Sequence, residues 1–153
     1  METIIINIYR GGVMEEVAKA TDYTGSKMDE SSETRDRIAM TDDDMENLNR
    51  FWEEAANAAN DRLKTMIVDF TSAWQTQRYQ VTLEVSKSFD KTLTPTVESS
   101  LRSFFILSIV GKWFQFTNKK EASSYLAEAA EMLEDVMRKL YTRRRPTSPR
   151  NKS

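Results

Sequence analysis

Between Val97 and Thr117 the chain places Leu101, Phe104, Phe105, Ile106, Leu107, Ile109, Val110, Trp113, Phe114 and Phe116 around most of a helix circumference. A helix apolar on nearly every side sits in the middle of a core or is covered in part by another chain. Pro95 lies where this helix starts, because a fixed φ and a missing N–H are tolerated in the first turn. The longest apolar run, Phe104 to Val110 broken by Ser108, falls far short of the ~20 residues that cross a bilayer. The rest of a 153-residue chain, enough for one domain with a moderate core, has to supply its cover.

Two further helices are suited to that task. Met45, Leu48, Trp52, Ala55, Ala59, Leu63, Met66, Phe70 and Ala73 recur at spacings of three and four, and the small centre Ala55, Ala56, Ala58 and Ala59 permits close approach of a second helix. Thr41 can cap this helix, with Asp42, Asp43 and Asp44 at the positive end of its dipole and Asp44 at the capping-box position. Run through to Gln77 it would be roughly 50 Å long at about 1.5 Å per residue, so a break near Thr71-Ser72 or a projecting end is expected. From Asn118 onward Ala122, Leu126, Ala129, Leu133, Val136 and Leu140 form an inward stripe, with Glu128, Glu131, Glu134 and Asp135 outward. Val13, Val17 and Ala20 predict a shorter helix over Val13 to Thr21.

The strand signal is thinner. Tyr79, Val81, Leu83 and Val85 alternate with polar residues, and Ser86 to Thr96 could return as a weaker hairpin arm. Thr3 to Tyr9, rich in Ile and followed by the expected turn Gly11-Gly12, reads as a short strand or an extended arm. It is one possible partner for the later strand; a neighbouring subunit is another. Asp22 to Met40 is polar and reads as a loop. The fold class is therefore mainly α (α+β): an extended N-terminal arm over 1–12, a helical bundle over 13–141 with a strand or hairpin insertion over 79–96, and a C-terminal tail over 142–153.

Composition removes much chemistry. Neither Cys nor His occurs, so thiolate nucleophiles, imidazole bases, the usual zinc ligands and disulfides are excluded. No cofactor and no metal are expected. The Asp42–Asp44 triplet lacks the alternating ligands and turn glycine of a calcium loop. Glu53 and Glu54 are adjacent and point apart, which suits a solvated helix face rather than acid–base work. Gly11-Gly12 lacks the rest of a phosphate loop. The aromatics of 104–116 have only Arg102 and Lys112 among them, too few cations for a base-stacking platform. No nucleophile, base and oxyanion set is visible, so no enzymatic activity is expected. Lacking a basic stretch ahead of its isoleucines, the N-terminus does not read as a signal peptide, and a cytosolic origin is expected.

Charge divides the chain. Arg138 to Lys152 holds seven of the 22 Lys and Arg residues and no Asp or Glu, while the whole chain carries a formal charge of -2. A basic, proline-punctuated arm leaving an acidic body is a docking device for an acidic protein groove or for phosphate. Its candidate contact residues are Arg138, Tyr141, Arg143, Arg144, Arg145, Pro146, Pro149 and Arg150. Excess apolar surface points to self-association, with Tyr79, Val81, Leu83, Val85, Phe104, Trp113, Phe114 and Phe116 as candidate subunit contacts.

The order of elements, with the stretches Glu16–Gly25 (EVAKATDYTG), Asn49–Glu54 (NRFWEE), Gly111–Asn118 (GKWFQFTN), Asp135–Tyr141 (DVMRKLY) and Arg145-Pro146, resembles the head-tail connector (adaptor or neck) proteins of tailed bacteriophages. These stretches also resemble uncharacterised phage and prophage structural proteins. The likeness covers most of Val13 to Pro149; the Ile-rich start departs from the connector pattern. It implies a dodecameric ring beneath the portal protein, with the C-terminal helix and tail docking upward and tail or further neck proteins below. It also implies transient passage of genomic DNA, no membrane, and residence in the virion neck after assembly in the host cytoplasm. An acidic body around a channel would repel DNA phosphate. The alternatives are another neck, tail-completion or tail-terminator protein, or a small nucleic-acid-binding protein using the Arg143 to Lys152 arm.

Overall fold

The computed structural model describes residues 1–28, 44–71 and 77–145. Its elements are β1 (Glu2–Tyr9), α1 (Arg10–Met28), α2 (Met45–Leu63), β2 (Ile67–Thr71), β3 (Arg78–Val85), a 3-10 turn at Lys91–Leu93, α3 (Thr94–Thr117) and α4 (Lys119–Leu140). The fold is mainly helical with one small antiparallel sheet, as expected.

The sheet has the order β1-β3-β2. Alternation sets its faces: Ile4, Ile6 and Ile8 stand opposite Leu83, Val81 and Tyr79, and all six are buried. That face closes over α3. Phe105 of α3 lies 4.8 Å from the Trp52 ring, 5.2 Å from Tyr79 and 5.8 Å from Phe104, so one aromatic cluster ties sheet, α2 and α3 together. The Tyr79 hydroxyl donates to Asn60 Oδ1 at 2.7 Å, and burial pushes its phenol pKa up.

Three helices supply the remaining cover. Val13, Val17 and Thr21 put one face of α1 wholly out of solvent, the threonine hydroxyl donating to Ala18 O at 3.1 Å. Leu48, Phe51, Trp52, Ala55, Ala56, Ala59 and Leu63 form the buried face of α2. The most extensive contact joins α3 and α4. A Cβ on Gly111 would stand 2.7 Å from the Leu126 side chain and 3.2 Å from its backbone nitrogen, so only glycine permits this crossing distance.

Several expectations change. Residues 1–12 are β1 and the first turn of α1 rather than an extended arm; of the two partners left open for the isoleucines, β3 of the same chain is the one observed. Gly11-Gly12 is accordingly helical rather than a turn. The α1 backbone continues to Met28, past the expected loop start at Asp22; residues 29–40 of that loop lie outside the described residues. The long helix stops at Leu63 instead of near Thr71, and Met66 N–H returns to Leu63 O at 2.8 Å. Ile67–Thr71 then forms a strand, because the outer edge of β3 needs partners and Glu84 N–H finds Met66 O at 2.7 Å. Asp44 is the N-cap of α2 and makes no side-chain cap bond; Thr41, Asp42 and Asp43 lie outside the described residues. The strand is central to the sheet rather than an insertion, and Ser86 to Thr96 is a turn around buried Phe89 leading into α3. Among the described residues no helix is long and apolar enough to cross a membrane.

Candidate interaction site

The basic C-terminal segment leaves α4 at a defined corner. Leu140 is fully buried and Tyr141 N–H still bonds to Met137 O at 3.2 Å, but Thr142 N–H closes back on Lys139 O at 3.1 Å, and the helix ends. The chain then runs antiparallel to the turn after β3. Arg143 bridges Phe89, Asp90 N–H donates to Thr142 O at 3.3 Å, and Arg144 N–H donates to Ser88 O at 2.8 Å. The side chain of Phe89 is 1 % exposed, so the turn receiving the segment is fastened to the core.

Backbone bonding leaves the cationic groups outward. Arg143, Arg144 and Arg145 are exposed, with one Arg143 guanidinium nitrogen donating to Tyr141 O at 2.9 Å. Lys91 meets Glu2 at 2.9 Å, and this hydrogen bond, with Lys91 and Arg144 charge behind it, holds the Glu2 carboxyl below its ordinary range. Two hollows flank the segment. One of about 220 Å³ is bounded by Met66, Glu84, Tyr141 and Arg143; the other, about 270 Å³, by Glu2, Lys87, Asp90, Lys91 and Arg144. Both are open and of mixed polar and apolar lining, suited to side chains of a macromolecule rather than to an enclosed small ligand.

The expected contact residues Arg143, Arg144 and Arg145 therefore stand together at one corner, with Tyr141 exposed beside them. Arg138 lies one turn back and is 3.4 Å from Asp135. Pro146, Pro149 and Arg150 lie outside the described residues. Sequence reasoning missed Glu2, Lys87, Lys91 and the receiving turn Ser88–Asp90; Phe89 isolated among polar residues was the available signal.

The expected subunit contacts fall differently. Tyr79, Val81, Leu83, Val85, Phe104, Trp113 and Phe114 are each no more than 6 % exposed within the single chain. They form its own core and present no surface to a neighbour while the fold holds, because the sheet and three helices suffice to cover α3. Phe116 alone is outward, 73 % exposed, its ring stacked 6.2 Å from Phe51.

One polar cluster resembles catalytic machinery. The Ser100 hydroxyl donates to Asp135 Oδ2 at 2.8 Å, and Lys139 Nζ donates to Ser100 Oγ at 2.8 Å and pairs with Asp135 at 2.9 Å. The lysine acts on the hydroxyl as donor, opposite to what a general base does. Hydrogen bonds from Lys139 and then Ser100 hold Asp135 below its usual range. Set between α3 and α4, the cluster is an interhelical clasp. Among the described residues no group of acidic side chains could hold a metal ion. No family model, no curated protein and no solved structure matches the chain.

Proposed function

We propose that the chain is a non-catalytic structural subunit of a tailed-phage neck: a head-tail connector whose ring joins capsid to tail and whose C-terminal segment docks on the portal protein. The observation that carries this reading is the fixed exit of the basic segment. The backbones of Arg143 and Arg144 are held on a turn fastened to the core, so their side chains leave at one corner, one beside each of the two hollows. Planar guanidinium groups so placed make bidentate contacts with acceptor carboxylates, which suits recognition of a protein groove. The exposed face of α4, with Glu128 and Glu131, is opposite in sign and fits a surface that DNA passes without being gripped.

The test is assembly. Native mass spectrometry and electron microscopy of the purified chain, alone and mixed with the portal protein encoded in the same genome, should show rings that bind the portal. Failure to bind the portal, combined with tight, salt-sensitive binding of a DNA duplex, would replace this reading with the nucleic-acid one.

A further inference from the structure

We propose that copies of this chain join sheet to sheet, the β2 edge of one copy pairing in parallel with the β1 edge of the next. The inference rests on the ring reading and supplies its subunit contact. Both β1 and β2 pair antiparallel with β3, so they run in the same direction at opposite edges of the sheet. Two unlike edges of the same direction add head to tail. Every added copy presents the same free edge again, and a small rotation per copy closes a ring.

The edge chemistry favours a strand as the occupant. Asn7 N–H turns away from β3 and donates to Glu98 Oε2 at 3.1 Å. By strand alternation the N–H and C=O groups of Thr3 and Ile5 also face outward, and Ile5 is 52 % exposed. Glu98 closes the edge at Asn7, which confines pairing to the first half of β1 and so fixes its register. On the other edge Phe70 stands opposite Val81. Because Val81 directs its backbone groups at β1, those of Phe70 face outward.

The exposure of Phe70 agrees with this. Phe70 shares the core face of the sheet with Val81 and Ile6, yet it is 54 % exposed because no described strand lies beyond it. A strand added beyond β2 would take part of that ring out of water; Ile4 and Ile6 of the added β1 stay buried within their own copy. Second copies thus offer what this edge lacks: outward backbone groups and a strand of matching direction.

Edge charges test the pairing, since Ile5→Glu sets a like charge beside Asp69 of the next copy and Phe70→Lys puts a charge on the β2 edge. Wild type, Ile5→Glu, Phe70→Lys and an equimolar mixture of the two variants are compared by native mass spectrometry, with circular dichroism to verify folding. The expected result is oligomeric wild type, monomeric single variants, and heterodimers but nothing larger in the mixture, where one intact β1 edge meets one intact β2 edge. Homodimers of either variant would mean a like-to-like interface and overturn the proposal. Variants that assemble as wild type does would overturn it while leaving the ring reading intact; a wild type monomeric at all concentrations would remove both.

A second variant pair does not depend on breaking the contact. Ile5 and Asp69 both stand on the face of Thr82, separated within one chain by β3, roughly 10 Å at about 4.8 Å per strand. That is too far for a disulfide, whereas adjacent strands of neighbouring copies are close enough. In this cysteine-free chain, Ile5→Cys combined with Asp69→Cys should oxidise to a ladder of linked copies. Absence of the ladder in oligomeric protein would overturn the pairing.

Discussion

Asp135 Oδ2 accepts the hydroxyl of Ser100 at 2.8 Å, and that bond crosses the contact between α3 and α4. Lys139 completes the clasp with bonds to both residues. Removing the carboxylate takes the acceptor from the buried hydroxyl and the charged partner from Lys139, which keeps only Ser100 Oγ and Thr96 O. Asp135→Ala should therefore cost about 1–3 kcal/mol of stability, measured by urea denaturation at neutral pH.

The same carboxylate sets a pH dependence. Its pKa is lowered on folding from the ordinary 3.8, so the unfolded chain takes up the proton first as pH falls. The stabilisation is complete above 3.8 and is lost as pH drops through the lower folded value. Glu134, lowered chiefly by its bond to Arg62, acts in the same direction. Thermal denaturation from pH 7 to pH 2 should show the gap between wild type and Asp135→Asn closing on the acid side; a gap that widens there would contradict the linkage.

Gly111 reports on packing rather than charge. The Cβ of an alanine would meet Leu126 at 2.7 Å and its backbone nitrogen at 3.2 Å. The side chain could turn away; the backbone could not. Gly111→Ala should destabilise by about 1–3 kcal/mol despite the better helix propensity of alanine, and adding Leu126→Ala should restore only part of the loss. Chemical denaturation of the two variants checks both statements.

Helices were legible in the sequence wherever the apolar period was long, as in α3 and α4, because burial of a stripe is what selects a helix. The partner of the isoleucines was among the alternatives the alternation left open. Strand β2 was not legible: Leu63, Met66 and Phe70 keep a helical spacing through it, and only the demand of the β3 edge for hydrogen bonds decides against the helix. The β-branched cluster Thr65, Ile67, Val68 and Thr71 was the local signal, too short to outweigh the stripe. The apolar surface left over on α3 is small for a different reason: β1 and β3 pair within the chain and turn one shared face onto it, whereas the sequence left a neighbouring subunit open as their partner. At the site, the arginines could be read directly, but their dock on Ser88–Asp90 is a long-range backbone contact without a sequence period.

Two phenylalanines two positions apart should behave in opposite ways. Phe114 is fully buried against Tyr125, with ring centroids 5.3 Å apart, whereas Phe116 is 73 % exposed. Phe114→Asp strands a charge in the core and should prevent folding. Phe116→Asp should leave the far-ultraviolet circular dichroism spectrum unchanged and shift the melting temperature by no more than a few degrees, since it loses only the stack on Phe51. If the Phe114 variant folded normally, the core placement would be refuted.

The C-terminal segment has two parts with separable roles. Thr142 and Arg144 use their backbones to hold the turn at Ser88–Asp90, so truncation before Thr142 should lower stability by about 1–3 kcal/mol as those bonds are lost. At this chain length that is a fall of roughly 2–4 °C in Tm per kcal/mol. Replacing Arg143, Arg144 and Arg145 together by Gln keeps the backbone bonds and should leave Tm almost unchanged, because the three side chains are exposed and rim charges contribute little to stability. Portal binding should nevertheless fall at least tenfold in the Gln variant, mainly through a slower association rate and a weaker salt dependence. If truncation and charge removal lowered stability equally, the guanidinium groups would be part of the fold and not a docking surface; if neither changed portal binding, the segment would not be the contact.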